Sequence, residues 1–143
     1  MNNDISCPFC NPELRKRFIA EHGSMFAVAD RFPVTDGHLL VIPLRHTPDW
    51  FTLTARERRD AEALLLFLRE KLLAEDPTIT GFNIGVNCGA SAGQTIFHAH
   101  IHLIPRRSGD ADDPRGGVRG VISERQKYLH GSVFDRPRGN GPS

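Results

Sequence analysis

The sequence predicts an α+β domain, an antiparallel β-sheet carrying one long helix, with a short N-terminal helix or loop ahead of it. Two observations predict it. A leucine repeat at helical spacing lies between a capping pattern and a proline, and short apolar runs ending at turn residues flank that repeat on both sides. At 143 residues with 39% hydrophobic content, the chain buries one core and is too short for two ordinary domains. Residues 1–135 are expected to form a single domain, and 136–143, with almost nothing to bury, a flexible C-terminal tail.

In chain order, Phe18 to His22 and Phe26 to Asp30 alternate apolar and polar residues around Gly23-Ser24 and read as a hairpin. His38-Leu39-Leu40-Val41-Ile42 follows the turn Thr35-Asp36-Gly37, stops at Pro43, and reads as a mostly buried strand. Thr54-Ala55-Arg56-Glu57 has the residue types of a capping box. Behind it Ala61, Leu64, Leu65, Leu68 and Leu72 repeat at helical spacing until Asp76-Pro77 ends the pattern. That leucine stripe is expected to pack on the sheet, the alternative being a helix that binds a partner. Thr80 to Asn87 and Thr95 to Pro105 read as an antiparallel pair joined by the small residues Cys88 to Gln94.

Charge excludes several classes of partner. With 18 basic and 17 acidic residues the formal net charge is +1, so no electrostatic footprint for nucleic acid or an anionic membrane exists. No run approaches the roughly 20 apolar residues of a membrane span. Met1-Asn2-Asn3-Asp4 lacks the basic and apolar regions of a signal peptide, so the expected location is cytoplasmic. In a reducing compartment the spacing Cys7-Pro8-Phe9-Cys10 suggests metal or redox chemistry rather than a disulfide framework.

The unusual feature is His98-Ala99-His100-Ile101-His102, followed by Leu103-Ile104. On a strand, side chains alternate faces, so His98, His100 and His102 project to one side while Ala99, Ile101 and Leu103 enter apolar packing. Three imidazoles on one face either bind a ligand, bind a metal or face water, because burying them without partners is costly. Gly93-Gln94-Thr95, just before, offers backbone N–H groups, an amide and a hydroxyl as a phosphate cradle.

Gly93-Gln94-Thr95-Ile96-Phe97-His98-Ala99-His100-Ile101-His102-Leu103-Ile104-Pro105-Arg106 resembles the signature of the histidine-triad (HIT) family, in which His alternates with apolar residues. Asp30-Arg31-Phe32-Pro33-Val34-Thr35-Asp36-Gly37-His38-Leu39-Leu40-Val41-Ile42-Pro43 resembles the family's second segment, and the likeness runs from about Cys7 to Arg107. The resemblance implies a HIT-like fold, a homodimer, and a nucleotide substrate, here an adenine nucleotide. It also implies that the middle histidine, His100, attacks the α-phosphorus and passes the nucleotidyl unit to water or another acceptor.

The chemistry suits imidazole, which is nucleophilic near neutral pH and splits one hard displacement into two easier ones. His100 must attack in its neutral form, and His102 is placed to donate to a phosphoryl oxygen or the leaving group. By resemblance Asp30 accepts the ribose hydroxyls, while Asn87, Gly93, Gln94 and Thr95 form the phosphate side of the substrate site. The alternatives are a turn-initiating role for Asp30 and a loop cap for Asn87.

Some branches of the family bring an N-terminal Cys pair, the His after the Ile-Pro segment and the first triad His together on zinc. Their counterparts here are Cys7, Cys10, His46 and His98, two thiolates and two imidazoles that complete a tetrahedral shell. Zinc in such a closed shell is structural, and no catalytic metal is required; the alternative is a pair of unliganded thiols. Cys88 is expected to be a small buried apolar residue. The Cys pair points toward bacterial members of the family, and Pro105 to Asp110 toward its polyphosphate-cleaving branch. Two other functions fit the same residues: a nucleotide-binding regulatory module with little turnover, and a zinc-binding module.

Overall fold

The computed structural model describes residues 6–127, and the chain falls into two compact units, Met1–Asp110 and Ala111–Ser143. The expected tail from Arg136 to Ser143 lies outside the described residues. In the first unit β1 (Ala20–His22), β2 (Met25–Ala29), β3 (Leu39–Pro43), β4 (Ile79–Gly85) and β5 (Ile101–Arg107) form a five-stranded sheet in the order β1-β2-β3-β5-β4. Every pairing is antiparallel. The helix α1 (Ala55–Glu75) packs on one face of it.

The start of α1 is fixed chemically. Thr54 Oγ1 accepts from the Glu57 N–H at 3.0 Å, and the Thr54 N–H donates to Glu57 Oε1 at 2.8 Å, so two donors that the first turn leaves open are satisfied reciprocally. Glu57 is itself buried and receives both Nε and Nη2 of Arg45, at 3.1 and 2.7 Å. Ala61, Leu64 and Leu68 then lie against Met25, Ala27, Leu39, Val41, Ile101 and Leu103, which settles the leucine stripe as core.

The opposite face of the sheet carries Phe26, Val28, Leu40 and Ile42 under Leu14, from a 3-10 segment at Pro12–Arg17, with Phe18 stacked on Phe26. Because β2 and β3 are covered on both faces, they read as unbroken apolar runs rather than as alternation. Register does the rest. Leu39 pairs with Leu103 and Leu40 with His102, so the odd positions of β5 point at α1 and the even ones at the face covered by the N-terminal segment.

One strand is shorter than the sequence predicts. The run from Thr95 was expected to be extended throughout, yet β5 begins only at Ile101, beside Val41. Upstream of it the Ala99 N–H donates to Thr47 O at 2.7 Å, outside the ladder, and the backbone bends. The alternation of faces survives the bend: Ala99, Ile101 and Leu103 enter the core, and the three histidines do not join them.

In the second unit, 3-10 turns at Gly117–Val121 and Ser123–Arg125 are drawn together by Arg119, whose Nη2 donates to Arg125 O at 2.9 Å. Gly116 has φ +82° and sits where a Cβ would lie 1.8 Å from Gln126 O, so only glycine fits. No helix among the described residues is long and apolar enough to cross a membrane.

Candidate active site and metal centre

The loop between β4 and β5 shapes the floor of the site. Gly89 and Gly93 adopt φ of +94° and +97°, a region closed to most side chains, and turn the chain tightly around Ala90–Ala92. Gln94 is buried and staples this loop. Its Nε2 donates to Pro48 O and Ile96 O, and its Oε1 accepts the Gly89 N–H at 2.8 Å. The Gln94 amide is thus committed to backbone, while Gly93, Thr95 and Asn87 line an adjoining cavity.

That cavity has a volume of about 630 Å³, within the ~300–1,000 Å³ usual for small-molecule sites. Asp30 and Asn87 line it together with His100 and His102, so all but one of the residues expected to meet substrate come together there. Asp30 plays the turn role. Its Oδ1 accepts from the Phe32 N–H at 2.8 Å, and its Oδ2 lies 3.4 Å from His38 Nε2. Cys88, expected to be buried, is only half-buried.

Hydrogen bonding assigns the tautomers. The Nδ1 of His100 lies 2.9 Å from His98 O, an acceptor only, so Nδ1 carries a hydrogen and, in the neutral ring, Nε2 presents its lone pair. At His102 the assignment passes through His38. The Val34 N–H donates to His38 Nδ1 at 3.1 Å, which places the hydrogen of His38 on Nε2, 2.9 Å from His102 Nδ1. His102 Nδ1 therefore accepts, and the neutral ring carries its hydrogen on Nε2.

Burial favours the neutral form of both His38 and His102. It lowers the pKa of His38 against the opposing charge of Asp30, and it lowers that of His102 with help from His100 and His38. Asp30, His38 and His102 place three ligand-type atoms close together, but the hydrogen on His38 Nε2 leaves no lone pair there for a metal.

His38 was given no role from sequence. It shares the face of Leu40 and hence of His102, so extending the two-residue period from Ile42 back through Leu40 would have found it.

The second centre lies behind the first. Cys7 Sγ and Cys10 Sγ are each 3.5 Å from His98 Nδ1, Cys10 Sγ is 3.2 Å from His46 Nδ1, and the two Nδ1 atoms are 3.2 Å apart. Tetrahedral zinc with bonds of about 2.0–2.3 Å demands ligand separations of about 3.3–3.8 Å, close to these distances. The donor chemistry fits as well. His98 is wholly buried and its Nε2–H donates to Pro43 O at 2.7 Å, so a bare Nδ1 faces the sulfurs. Burial pulls His98 down to about 4 and pushes the Cys7 thiol above its ordinary value. Both shifts are the cost of burying a charge, which a bound divalent metal would offset for the thiolates.

Among known proteins, the HIT domain family matches residues 11–109. A HIT family protein from Bacillus anthracis is 34% identical in sequence and superposes with a TM-score of 0.67 over 76% of this chain and 78% of its own. A Zn-bound histidine triad family protein from Mycobacterium smegmatis is 32% identical, with a TM-score of 0.60 over 76% of this chain and 81% of its own. The AP-4-A phosphorylase of Mycobacterium tuberculosis is 34% identical over 98 residues, which are 66% of this chain and 48% of that enzyme. The triad segment, its antiparallel setting beside a single long helix, and the match over residues 11–109 place this chain in the HIT family.

Proposed function

We propose that this HIT-family chain is a nucleotide hydrolase or transferase that cleaves at the α-phosphate of nucleoside phosphoramidates or dinucleoside polyphosphates. One observation carries the reading: His100 and His102 face one cavity with opposite tautomers, a bare Nε2 on the first and an Nε2–H on the second. The His100 lone pair forms a P–N bond to the α-phosphorus as the bond to the leaving group breaks, and that group departs with the electron pair. The positive charge that develops on the ring is held through Nδ1–H by the His98 carbonyl. His102 Nε2–H donates to a phosphoryl oxygen or the departing atom, where negative charge grows. Water or another acceptor then attacks phosphorus, the P–N bond breaks and its electron pair returns to Nε2, so His100 is neutral again, and the proton the acceptor loses balances the one taken up by the departed group.

Asp30 accepts the ribose hydroxyls of an adenine nucleotide, Asn87, Gly93 and Thr95 meet the phosphates, and Gln94 serves by holding the loop. Cys7, Cys10, His46 and His98 would hold a zinc ion, and four protein ligands would make its role structural rather than catalytic. Cysteines not joined in a disulfide at that site suit the reducing cytoplasm.

A homodimer is supported by the β4 side of the sheet. There the strand edge is unpaired among the described residues, and an apolar groove of about 710 Å³ runs past Leu65, Leu66, Phe82 and Ile84. A second copy of the same edge would satisfy both.

The test is release of nucleoside monophosphate from an adenosine phosphoramidate and from diadenosine polyphosphates, with His100→Ala at matched folding and zinc content as control. Rapid release lost in the variant supports covalent catalysis. Tight nucleotide binding with no turnover above the variant would overturn it in favour of a regulatory module.

A further inference from the structure

The Cys7–Cys10 knuckle carries a residue that faces the other centre. Phe9 stands between the two cysteines on a short arm whose ends are held by the Cys10 N–H donating to Cys7 O at 3.1 Å and by the sulfurs packed on His46 and His98. Its ring meets two histidines at once. The centroid is 5.8 Å from that of His98 at an interplanar angle of 88°, and 5.1 Å from that of His100 at 65°, both edge-on contacts. Phe9 also lines the cavity that holds His100 and His102.

From this we infer that Phe9 is a positioning residue for His100, through which the metal knuckle sets the orientation of the nucleophile; the inference rests on the proposed role of His100. The Nδ1–H···O=C bond to His98 fixes which nitrogen of His100 carries hydrogen but lets the ring tilt about it, and the His102 ring packs edge-on against it at 5.3 Å between centroids. Phe9 presses on that ring from the side and on His98, the residue that supplies the acceptor. With the hydrogen bond and the His102 ring, Phe9 gives the imidazole plane a third point of contact, and attack at phosphorus is sensitive to displacements of about 1 Å. The chemistry remains that of His100, since a phenyl ring moves no proton.

The experiment compares wild type with Phe9→Leu and Phe9→Ala, each with zinc content measured, by steady-state kinetics on an adenosine phosphoramidate and by NMR of the His100 Nδ1–H. A positioning role lowers kcat by about tenfold or more with KM within about twofold, and brings the Nδ1–H resonance into exchange with water. Phe9→Tyr, which keeps the ring edge, restores most of the lost rate. A rise in KM with kcat unchanged would make Phe9 a wall of the substrate pocket and overturn the inference, as would wild-type kcat in Phe9→Leu. If the alanine variant loses zinc, Phe9→Leu, which keeps an apolar side chain without the ring, decides. Should wild type show no turnover, the proposed reaction fails, while the Nδ1–H resonance still tests whether Phe9 holds the ring.

Discussion

His98 and His100 are two residues apart, belong to one sequence pattern and have opposite fates. His98 is wholly buried and spends both ring nitrogens, Nε2 on the Pro43 carbonyl and Nδ1 on the Cys7, Cys10 and His46 cluster. His100 spends one, on the carbonyl of His98, and keeps the other for the cavity. What separates the proposed metal ligand from the proposed nucleophile is the use of the second nitrogen. The two histidines are also in series: the backbone carbonyl of His98 fixes the tautomer of His100, so whatever holds His98 also holds His100.

The comparison is broken most severely at its catalytic end. His100→Ala should lower turnover by about 10⁴-fold or more, equivalent to about 5.5 kcal/mol of barrier, with thermal stability near wild type. A variant that retained a tenth of the activity would show that His100 is not the nucleophile. At the structural end the order of effects reverses. Cys10→Ser, or chelation of the wild type, should destabilise the protein by about 3 kcal/mol or more, read as a fall in Tm of roughly 10 °C. An unchanged Tm after complete removal of metal would leave Cys7 and Cys10 as unliganded thiols.

Sequence periodicity exposed the histidine face because the alternation of a strand depends only on local backbone, and it persisted through the bend at residues 95–100, where the ladder itself did not. The helix was legible to its ends because Thr54 and Glu57 close the cap within one turn. Of the proposed metal centre the Cys7-x2-Cys10 spacing was legible as metal or redox chemistry, while the joining of both histidines to it came through family resemblance. Its ligands span Cys7 to His98, and nothing local in Ile42-Pro43-Leu44-Arg45-His46 states that His46 will meet a thiol. The burial of Gln94 and the relay through His38 depend on contacts of 46 and 64 residues in separation, which no short pattern encodes.

The His38 relay sharpens the comparison from the side that holds no metal. His38→Ala removes the donor to His102 Nδ1, frees the His102 tautomer and should reduce kcat by about 10²-fold, or about 2.7 kcal/mol, with zinc content unchanged. Loss of zinc in that variant would mean that the two centres are not separable.

The smallest effect expected is at Glu57, and it should fall on the metal side alone. Arg45 immediately precedes His46, and its two hydrogen bonds to buried Glu57 tie the His46 arm to the start of α1. Burial alone would raise the pKa of Glu57, but the Arg45 hydrogen bonds, the Thr54 N–H and the guanidinium charge outweigh it and hold the group below its ordinary value. A carboxyl whose folded pKa is depressed contributes stability that is fully present above its unfolded pKa of about 4.3 and is lost as pH falls through the lower folded value. Glu57→Gln should therefore cost about 1–2 kcal/mol at pH 7, with Arg45 partly solvated, and the cost should shrink below pH 4, where wild type loses the same charge. Urea unfolding of both proteins between pH 3 and 7 measures it. Curves that stay parallel across that range would remove the ion pair from the acid limb of stability, and zinc affinity weakened without loss of kcat would place its influence at His46 rather than at His100.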